Sequence, residues 1–456
     1  MKIINPLFLC LTFLFSCQAN KEEKVVEKAI QFITLDPGHF HAALVQKSMY
    51  DNVDSTVYVY APEGDDLDLH LNRIESYNAR ENSPTRWNEV IYQGDDFFEK
   101  LIDEKAGNVV VLSGNNQKKT EYILKTLENG MHVLADKPMV IDSKGFETLK
   151  KAFSVAREND LMLYDVMTER FEITTILQKE LSQIPEIFGE LEKGTMADPA
   201  ITKESVHYLF KYVSGSVLTR PAWFLDISQQ GEGIVDVMTH LVDLVQWECF
   251  PAQVIDYENE IGINEARHWT TDINLEEFKA ITKMDQFPDF LLKNVNEDSI
   301  LQIYCNGEIN YTVKGVHAKT SVTWGYKAPE GTGDTHYSIM RGTKSNLIIR
   351  QGEEENFKPS LYIEPVLSDA QYEEGLTQNF SLLESKFPGI GLIEKDGIWK
   401  VEIPDKYKVG HEEHFAQVTA NFLEYLQNGS IPEWEVPNMI AKYYTTTRAL
   451  EMVMEE

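Results

Sequence analysis

The chain has 456 residues, of which 43% are hydrophobic and 25% are charged, and its formal net charge is −31. That composition is typical of a folded protein with two or three domains. Such an acidic chain would repel nucleic-acid phosphates and anionic lipid headgroups, so we expect neither as a partner.

The N-terminus has the features of a bacterial export signal. Lys2 precedes an apolar run, residues 3–15, that is too short to span a bilayer comfortably. The run ends in Leu14-Phe15-Ser16-Cys17, which resembles a lipobox, where the cysteine is lipidated. We therefore expect a lipoprotein signal peptide over 1–16, lipidation at Cys17, a polar tether over 17–28 and a location in the cell envelope. The only expected membrane contact is the lipid anchor; an ordinary secretory peptide is the alternative.

Two cysteines remain after this processing, Cys249 and Cys305. They allow at most one disulfide, and the sequence leaves open whether it forms.

Strand and helix patterns alternate between residues 29 and 166. Strands are predicted at 29–35, 57–60, 109–112, 131–135 and 161–166, and helices at 118–129 and 143–159. The polar segment 61–93 is predicted to be a loop or a surface helix. This alternation with short links predicts a Rossmann-like, doubly wound parallel sheet, an α/β domain over 29–166.

The pattern changes over residues 167–456, the predicted C-terminal domain. Strands are predicted at 189–194, 301–304, 309–316, 319–324, 346–350, 361–365 and 398–403, and helices at 231–247, 411–427 and 438–453. We expect an open antiparallel sheet with closing helices, an α+β domain.

The predicted helix 231–247 carries three polar residues at helical spacing. Asp236, His240 and Asp243 stand at i, i+4 and i+7, which places them on one helical face. Buried ionisable groups need partners or a function. Either a His–Asp hydrogen bond satisfies them in the core, or His240 is a general acid/base whose tautomer and pKa a carboxylate sets.

A second motif, Asp136-Lys137-Pro138, directly follows a predicted strand. Ligands of open α/β sheets bind at the carboxyl ends of strands. A lysine there can bind a substrate hydroxyl and stabilise the alkoxide that forms on oxidation. The alternative is an ordinary surface lysine.

Together these motifs resemble the Gfo/Idh/MocA oxidoreductase family. The triplet 136–138 matches the family's Glu-Lys-Pro, and 231–240 matches its glycine-rich turn followed by Asp and His. Residues 204–223 resemble a subgroup with a dedicated oxidoreductase C-terminal domain. The resemblance implies that Lys137 and His240 are catalytic and that Asp236 touches a sugar.

The resemblance also implies a cofactor, NAD or NADP, and further contacts. The residues expected at the cofactor are Gly38, His39, Asn115, Asn116, Asp136 and Lys137. The residues expected at a sugar or glycoside are His207, Tyr208, Arg220 and Trp223, because aromatic faces pack on sugar rings and arginine binds hydroxyls. We also expect that the C-terminal sheet could support a homo-oligomer.

The predicted phosphate loop departs from the family. Residues 35–41 contain a single glycine, where Gly-x-Gly-x-x-Gly lets the backbone approach a pyrophosphate. Asp36 would repel phosphate and Pro37 lacks an amide donor. In the family, an acidic residue directly after the second strand holds the ribose hydroxyls. Here the only candidate is Glu63, which comes a few residues later than expected. Any cofactor would therefore need altered contacts.

The sequence thus predicts an NAD(P)-dependent oxidoreductase acting on a carbohydrate hydroxyl. A variant couples transient oxidation to glycosidic bond cleavage with a tightly held cofactor, because an exported protein has little free NAD. The alternative is a non-catalytic, glycan-binding surface lipoprotein on a degenerate Rossmann scaffold. A metal hydrolase built on His39 and His41 ranks third, because its barrel needs more βα units, and no metal site is predicted.

Overall fold

The computed structural model describes residues 30–213 and 216–455. The predicted signal peptide, Cys17 and the tether lie outside the described residues. Among the helices that are described, none has the length and apolar character needed to cross a bilayer.

The first domain is a six-stranded parallel sheet in the order β3-β2-β1-β4-β5-β6. Its strands are β1 (Phe32–Leu35), β2 (Thr56–Ala61), β3 (Asn88–Gln93), β4 (Val109–Leu112), β5 (His132–Asp136) and β6 (Leu163–Val166). Its helices are α1 (His41–Val45), α2 (Asp65–Ala79), α3 (Phe97–Glu104), α4 (Lys119–Glu128) and α5 (Ser143–Glu158). The order reverses between β1 and β4, where ligands of such sheets bind. The predicted Rossmann-like class is confirmed.

The second domain is built on a nine-stranded sheet in the order β10-β11-β12-β7-β13-β14-β15-β17-β16. Its strands are β7 (Ile201–Phe210), β8 (Tyr212–Val213), β9 (Ser216–Val217), β10 (Ile261–Ile273), β11 (Leu301–Val313), β12 (Val316–Lys327), β13 (Thr335–Arg341), β14 (Ser345–Arg350), β15 (Ser360–Pro365), β16 (Gly391–Lys395) and β17 (Ile398–Glu402). Strands β8 and β9 form a separate small hairpin. The nine-stranded sheet is antiparallel except where β12 runs parallel to β7, so the predicted class of this domain is also confirmed.

The remaining helices cover this sheet and close the chain. They are α6 (Ile173–Ser182), α7 (Ile227–Gln230), α8 (Met238–Cys249), α9 (Tyr257–Glu260), α10 (Leu275–Thr282), α11 (Ala370–Lys386), α12 (His411–Asn428) and α13 (Glu435–Glu455). Helix α12 packs Phe415, Val418 and Phe422 into the core of the first domain. Helix α13 contributes Ala449 and Val453 to the core of the second. The end of the chain therefore joins the two domains.

Several predicted elements were wrong in detail. Residues 189–194 form no strand and make only single bridges, because Gly189 and Gly194 adopt positive φ angles of 78° and 60°. The predicted strand 301–304 and most of the predicted strand 309–316 belong to one continuous strand, β11, which ends at Val313. Val316 is the first residue of β12. The segment 61–93 contains both α2 and the edge strand β3, whose residues are mostly exposed and gave no apolar signal.

The helix predicted from residue 231 begins only at Met238. Residues 233–237 form a turn that lets the backbone pass close to β11: a Cβ on Gly233 would lie 1.9 Å from the carbonyl oxygen of Cys305. Asp236 therefore precedes the helix and does not share a helical face with His240. The cysteines Cys249 and Cys305 are both unpaired.

A network of buried charges links β6, α8 and α13. Asp243 on α8 accepts hydrogen bonds from Arg170 Nε at 2.7 Å and from Lys442 Nζ at 2.8 Å. The same Lys442 Nζ lies 2.7 Å from Asp165 Oδ2, and Arg170 Nη1 donates to Glu435 at 2.9 Å. Burial alone would raise the pKa of Asp243, but Arg170 and Lys442 outweigh it and hold that pKa well below its ordinary value. The carboxylate therefore stays charged and fixes α8 against both domains.

Replacing Asp243 with asparagine should destabilise the fold strongly, because it leaves Arg170 and Lys442 without their shared carboxylate. Breaking a buried ion pair from one side costs about 3–5 kcal/mol, to be measured as the free energy of unfolding in urea. Because the folded pKa is depressed, this stabilisation is present above the unfolded pKa of about 4 and is lost as pH falls. The difference between wild type and variant should therefore shrink in acid.

The matched control is Asp405→Asn, which breaks a pair with Lys408 in which the Asp405 side chain is 97% exposed. It should leave the urea midpoint unchanged. Equal stability of Asp243→Asn and wild type at pH 7 would contradict the role of the network.

Candidate functional site

A cleft of about 2200 Å³ opens between the two domains, at the carboxyl ends of β1, β4 and β5. Nine of the residues predicted for the site line it: His39, Asn116, Asp136, Lys137, His207, Tyr208, Arg220, Asp236 and His240. The other three, Gly38, Asn115 and Trp223, lie outside its lining. The structure thus brings most of the predicted site residues into one space.

Lys137 and Asp236 meet across the domain boundary. Lys137 Nζ lies 2.5 Å from Asp236 Oδ1, and both side chains are almost fully buried. Asp236 Oδ2 also accepts a hydrogen bond from Gln230 Nε2 at 3.0 Å. The carboxylate therefore holds the lysine ammonium at the floor of the cleft, just beyond the end of β5.

Within the part of the chain that the structure describes, His240 has no carboxylate partner. Its Nδ1 is buried without a hydrogen bond, while Asp236 pairs with Lys137 and Asp243 with Arg170 and Lys442. The expected His–Asp hydrogen bond on this helix is therefore absent. Burial, with Lys137 and His411 nearby, holds the pKa of His240 well below its usual value. The imidazole is neutral at pH 7 and can accept a proton.

Two histidine side chains lie close to the Asp136 carboxylate at the end of β5. His41 Nδ1 lies 2.9 Å and His39 Nδ1 lies 3.5 Å from Asp136 Oδ2. Ser113, just after β4, donates to the same oxygen at 2.9 Å. The three strands β1, β4 and β5 thus each place a polar group at one point of the cleft.

The residues predicted to contact sugar differ in whether their polar groups already make hydrogen bonds within the protein. Tyr208 lines the cleft with no hydrogen bond from its hydroxyl group within the described residues, whereas His207 bonds both Asp334 and Ser205, at 3.1 and 3.0 Å. The Arg220 guanidinium donates to the carbonyl of Leu209 at 2.8 Å and lies over an aromatic ring. Tyr208 is therefore the most available of these groups.

Among the polar residues of the cleft lining that sequence reasoning missed are Glu169 and His411. Burial, with Glu172 and Asp334 nearby, raises the pKa of Glu169 to about 7, which suits a proton donor or acceptor near neutral pH. Its position three residues after β6 is a signal that could have found it. His411 begins α12, and its ring lies 5.5 Å from that of His41. The two residues are far apart in the sequence, and no local pattern marks His411.

The groove in which a dinucleotide would lie is filled by the second domain. We call residues 222–230, which contain a 3-10 turn and α7, the closing segment. Trp223 Nε1 donates to Asp66 Oδ2 at 2.8 Å. A Cβ on Gly38 would meet that Asp66 oxygen at 2.8 Å and the Trp223 ring at 3.0 Å. The open side of the only glycine in the loop is therefore already occupied.

The closing segment also covers the loop after β4. The Asn115 side chain donates to Gln229 Oε1 at 2.7 Å, and that of Asn116 donates to the Gln230 carbonyl at 2.7 Å. These two asparagines were expected to contact a cofactor, but here their amides bind the second domain. Residues predicted to bind the dinucleotide thus hold the domains together.

The charge at this groove also opposes a pyrophosphate. Burial and the neighbouring Asp66 raise the pKa of Asp36 to about 6, so both carboxylates are negative at higher pH. Glycine loops bind phosphate through free amides and a positive helix end, whereas this loop offers Asp36 and Pro37 and faces Asp66 of α2. In the described conformation the loop does not fit a dinucleotide.

Fold and site together define a two-domain protein of the Rossmann oxidoreductase class, with its reactive groups between the domains. Residues 177–454 match the family "Putative oxidoreductase C terminal domain", and the chain belongs to that family. Residues 68–165 match "Oxidoreductase family, NAD-binding Rossmann fold". This second match begins after the loop at 35–41, the part of the domain that departs from the family pattern.

Solved structures agree with this assignment. A "putative oxidoreductase" from Parabacteroides merdae is 57% identical, with a TM-score of 0.92, covering 94% of this chain and 98% of that one. A levoglucosan dehydrogenase in complex with NADH and levoglucosan is 11% identical, with a TM-score of 0.58 and coverages of 93% and 97%. A 3-ketoreductase from Actinomadura kijaniata with NADP is 14% identical, with a TM-score of 0.53 and coverages of 91% and 94%. At these low identities, the levoglucosan dehydrogenase and the 3-ketoreductase show only that the fold is shared. No curated protein matches the sequence.

If the closing segment excludes the dinucleotide, Trp223→Phe should strengthen NADH binding, because it removes the bond to Asp66 and keeps an aromatic ring. A hydrogen bond to a charged group is worth about 1.5–3 kcal/mol, or roughly 10-fold to 150-fold in the population of the open state. NADH fluorescence titration measures the change. Trp269→Phe, a substitution on the exposed side of β10, is the control. Equal affinity of wild type and Trp223→Phe would contradict this role of the closing segment.

Proposed function

We propose that the protein is an oxidoreductase that acts on a hydroxyl group of a sugar or glycoside bound in the cleft. The observation that carries the proposal is the Lys137–Asp236 ion pair at the cleft floor, with the neutral His240 close by in the same lining. A fixed ammonium and a neutral base in one cleft are the groups needed to ionise a hydroxyl.

Each residue has a separate task in this proposal. The Lys137 ammonium, held by Asp236, donates a hydrogen bond to the substrate oxygen and stabilises the negative charge that develops there. The neutral imidazole of His240 accepts the proton of the same hydroxyl. Tyr208 offers a ring face and a hydroxyl for the sugar, and its side chain lines the same cleft.

The proposed cofactor is NAD or NADP, in keeping with the Rossmann family matched by residues 68–165. Since the described loop does not fit a dinucleotide, its binding requires the closing segment to leave Asp66 and the asparagine loop. A cofactor admitted in this way and then covered again would be retained, as the exported location that the sequence predicts would favour. The distant sugar dehydrogenase and ketoreductase support the substrate class through fold only.

The decisive experiment combines cofactor release with turnover. Purified full-length chain is unfolded, the supernatant is examined for nicotinamide absorbance, and native protein is assayed on a panel of sugars and glycosides with and without added NAD(P). Lys137→Ala should lower turnover by about 10²–10⁴-fold, the usual contribution of such a group, while the sugar affinity changes little. Lys144→Ala, an exposed lysine on α5, is the control and should retain full activity.

The second candidate is glycan binding without catalysis, which the filled groove at Gly38 favours. A binder would show no released nicotinamide, no turnover across the panel, and unchanged sugar affinity in Lys137→Ala. That combination would reject the oxidoreductase proposal.

Anchoring in the cell envelope through Cys17 stays a prediction from the sequence. Metabolic labelling with a fatty acid analogue tests it, with Cys17→Ser as the comparison. Absence of label on the wild-type chain would contradict the predicted lipoprotein signal.

A further inference from the structure

We propose that His39, His41 and Asp136 form a binding site for a divalent transition-metal ion, with open coordination positions facing the cleft. One ligand atom from each residue lies within 4.8 Å of the other two, and all three residues line the cleft. No metal site was expected from the sequence; the tertiary structure supplies the third ligand. This proposal does not depend on the proposed function.

The spacing of the ligand atoms suits a small cation. Zinc takes histidine and aspartate ligands at about 2.0–2.2 Å, which places tetrahedral ligand atoms about 3.3–3.6 Å apart. The two histidine nitrogens lie 2.9 and 3.5 Å from Asp136 Oδ2, one below that range and one within it. Side-chain rotation would have to bring the three ligand atoms, which lie within 4.8 Å of one another, to coordination geometry.

Neighbouring residues hold the side chains of Asp136 and His41 in place, as the residues behind the ligands of a metal site do. Ser113 Oγ donates to Asp136 Oδ2 at 2.9 Å and holds the carboxylate. Phe40 and Phe415 pack close to the His41 ring, with centroids 4.4 and 4.6 Å from it. The site is thus rigid on the protein side and open on the cleft side.

Four cations act on the two histidines: Lys119, Lys137, Lys211 and Arg220. Lys137 is paired with Asp236 at 2.5 Å, and Lys211 is paired with Asp334 at 2.9 Å. Lys119 donates to the Asp136 carbonyl at 3.1 Å. The formal net charge of the whole chain is −31, so its overall field attracts cations.

The ligand set points to a class of metal. Two imidazoles and one carboxylate with open positions are the donors used for Zn²⁺ and for Fe²⁺ or Mn²⁺, whereas Ca²⁺ and Mg²⁺ prefer oxygen alone. An ion here would be a Lewis acid for a hydroxyl or carbonyl oxygen of a ligand in the cleft, next to Lys137.

The test measures metal directly, without sugar or nicotinamide. Full-length protein is stripped with chelator, dialysed against Zn²⁺, Co²⁺, Mn²⁺ or Ca²⁺, and its metal content is determined by mass spectrometry. We expect one transition-metal ion per chain, no Ca²⁺, and a visible Co²⁺ absorption band. His41→Gln and His39→Gln should each weaken binding by at least about 100-fold, more than the loss of a second-shell partner.

His317→Gln, on β12 and with no side-chain hydrogen bond among the described residues, is the matched control and should bind as the wild type does. The folded state of each variant is followed by circular dichroism. His39→Gln, whose side chain is 14% exposed, keeps the test valid if His41→Gln does not fold. A stripped wild-type chain that takes up no ion, or a His39→Gln variant that keeps its ion, would overturn the proposal. Since the readout is metal content, either result is independent of the outcome of the turnover assay.

Discussion

The buried charge network around Asp243 is the constraint on which the site depends. Asp243 lies one turn beyond His240 on α8, and its bonds to Arg170 and Lys442 tie that helix to the 3-10 turn after β6 and to α13. A charge taken out of water needs partners in well-defined positions, so the network leaves α8 little freedom. The turn before α8 then brings Asp236 to Lys137, and the cleft floor follows from that contact.

Because α8 is held in place, the two domains contribute different parts of the cleft. The first domain supplies strand ends, with Asp136, Lys137 and the histidines of the β1 loop, as doubly wound sheets commonly do. The second supplies the wall of the cleft and the closing segment. Helix α12 returns to the first core with Phe415 and brings His411 beside His41. The reactive space is thus built from both domains and cannot be assigned to either one.

The phosphate loop shows how a fold can persist while a site changes. The strand order and the switch point are those of a dinucleotide-binding sheet, because they depend on apolar strands that remain. Glycine positions that serve only close approach to phosphate are free to change once that contact is lost or altered. Here the loop presents His39 and His41 instead, and Trp223 with Asp66 fills the space beside Gly38.

The sequence by itself determined the two-domain class with its parallel and antiparallel sheets, because hydrophobic periodicity and short motifs are local signals. From the same motifs the sequence selected Lys137, Asp236 and His240 as candidate site residues, and all three line one cleft. It erred where a side chain's partner lies far along the chain: His240 was expected to pair with a neighbouring carboxylate, but Asp243 is bound to Lys442, 199 residues away. Only the tertiary structure decided that Asp136 meets two histidines 95 and 97 residues before it, and that Trp223 closes the groove. Such contacts arise from packing between distant segments, and no local pattern encodes them.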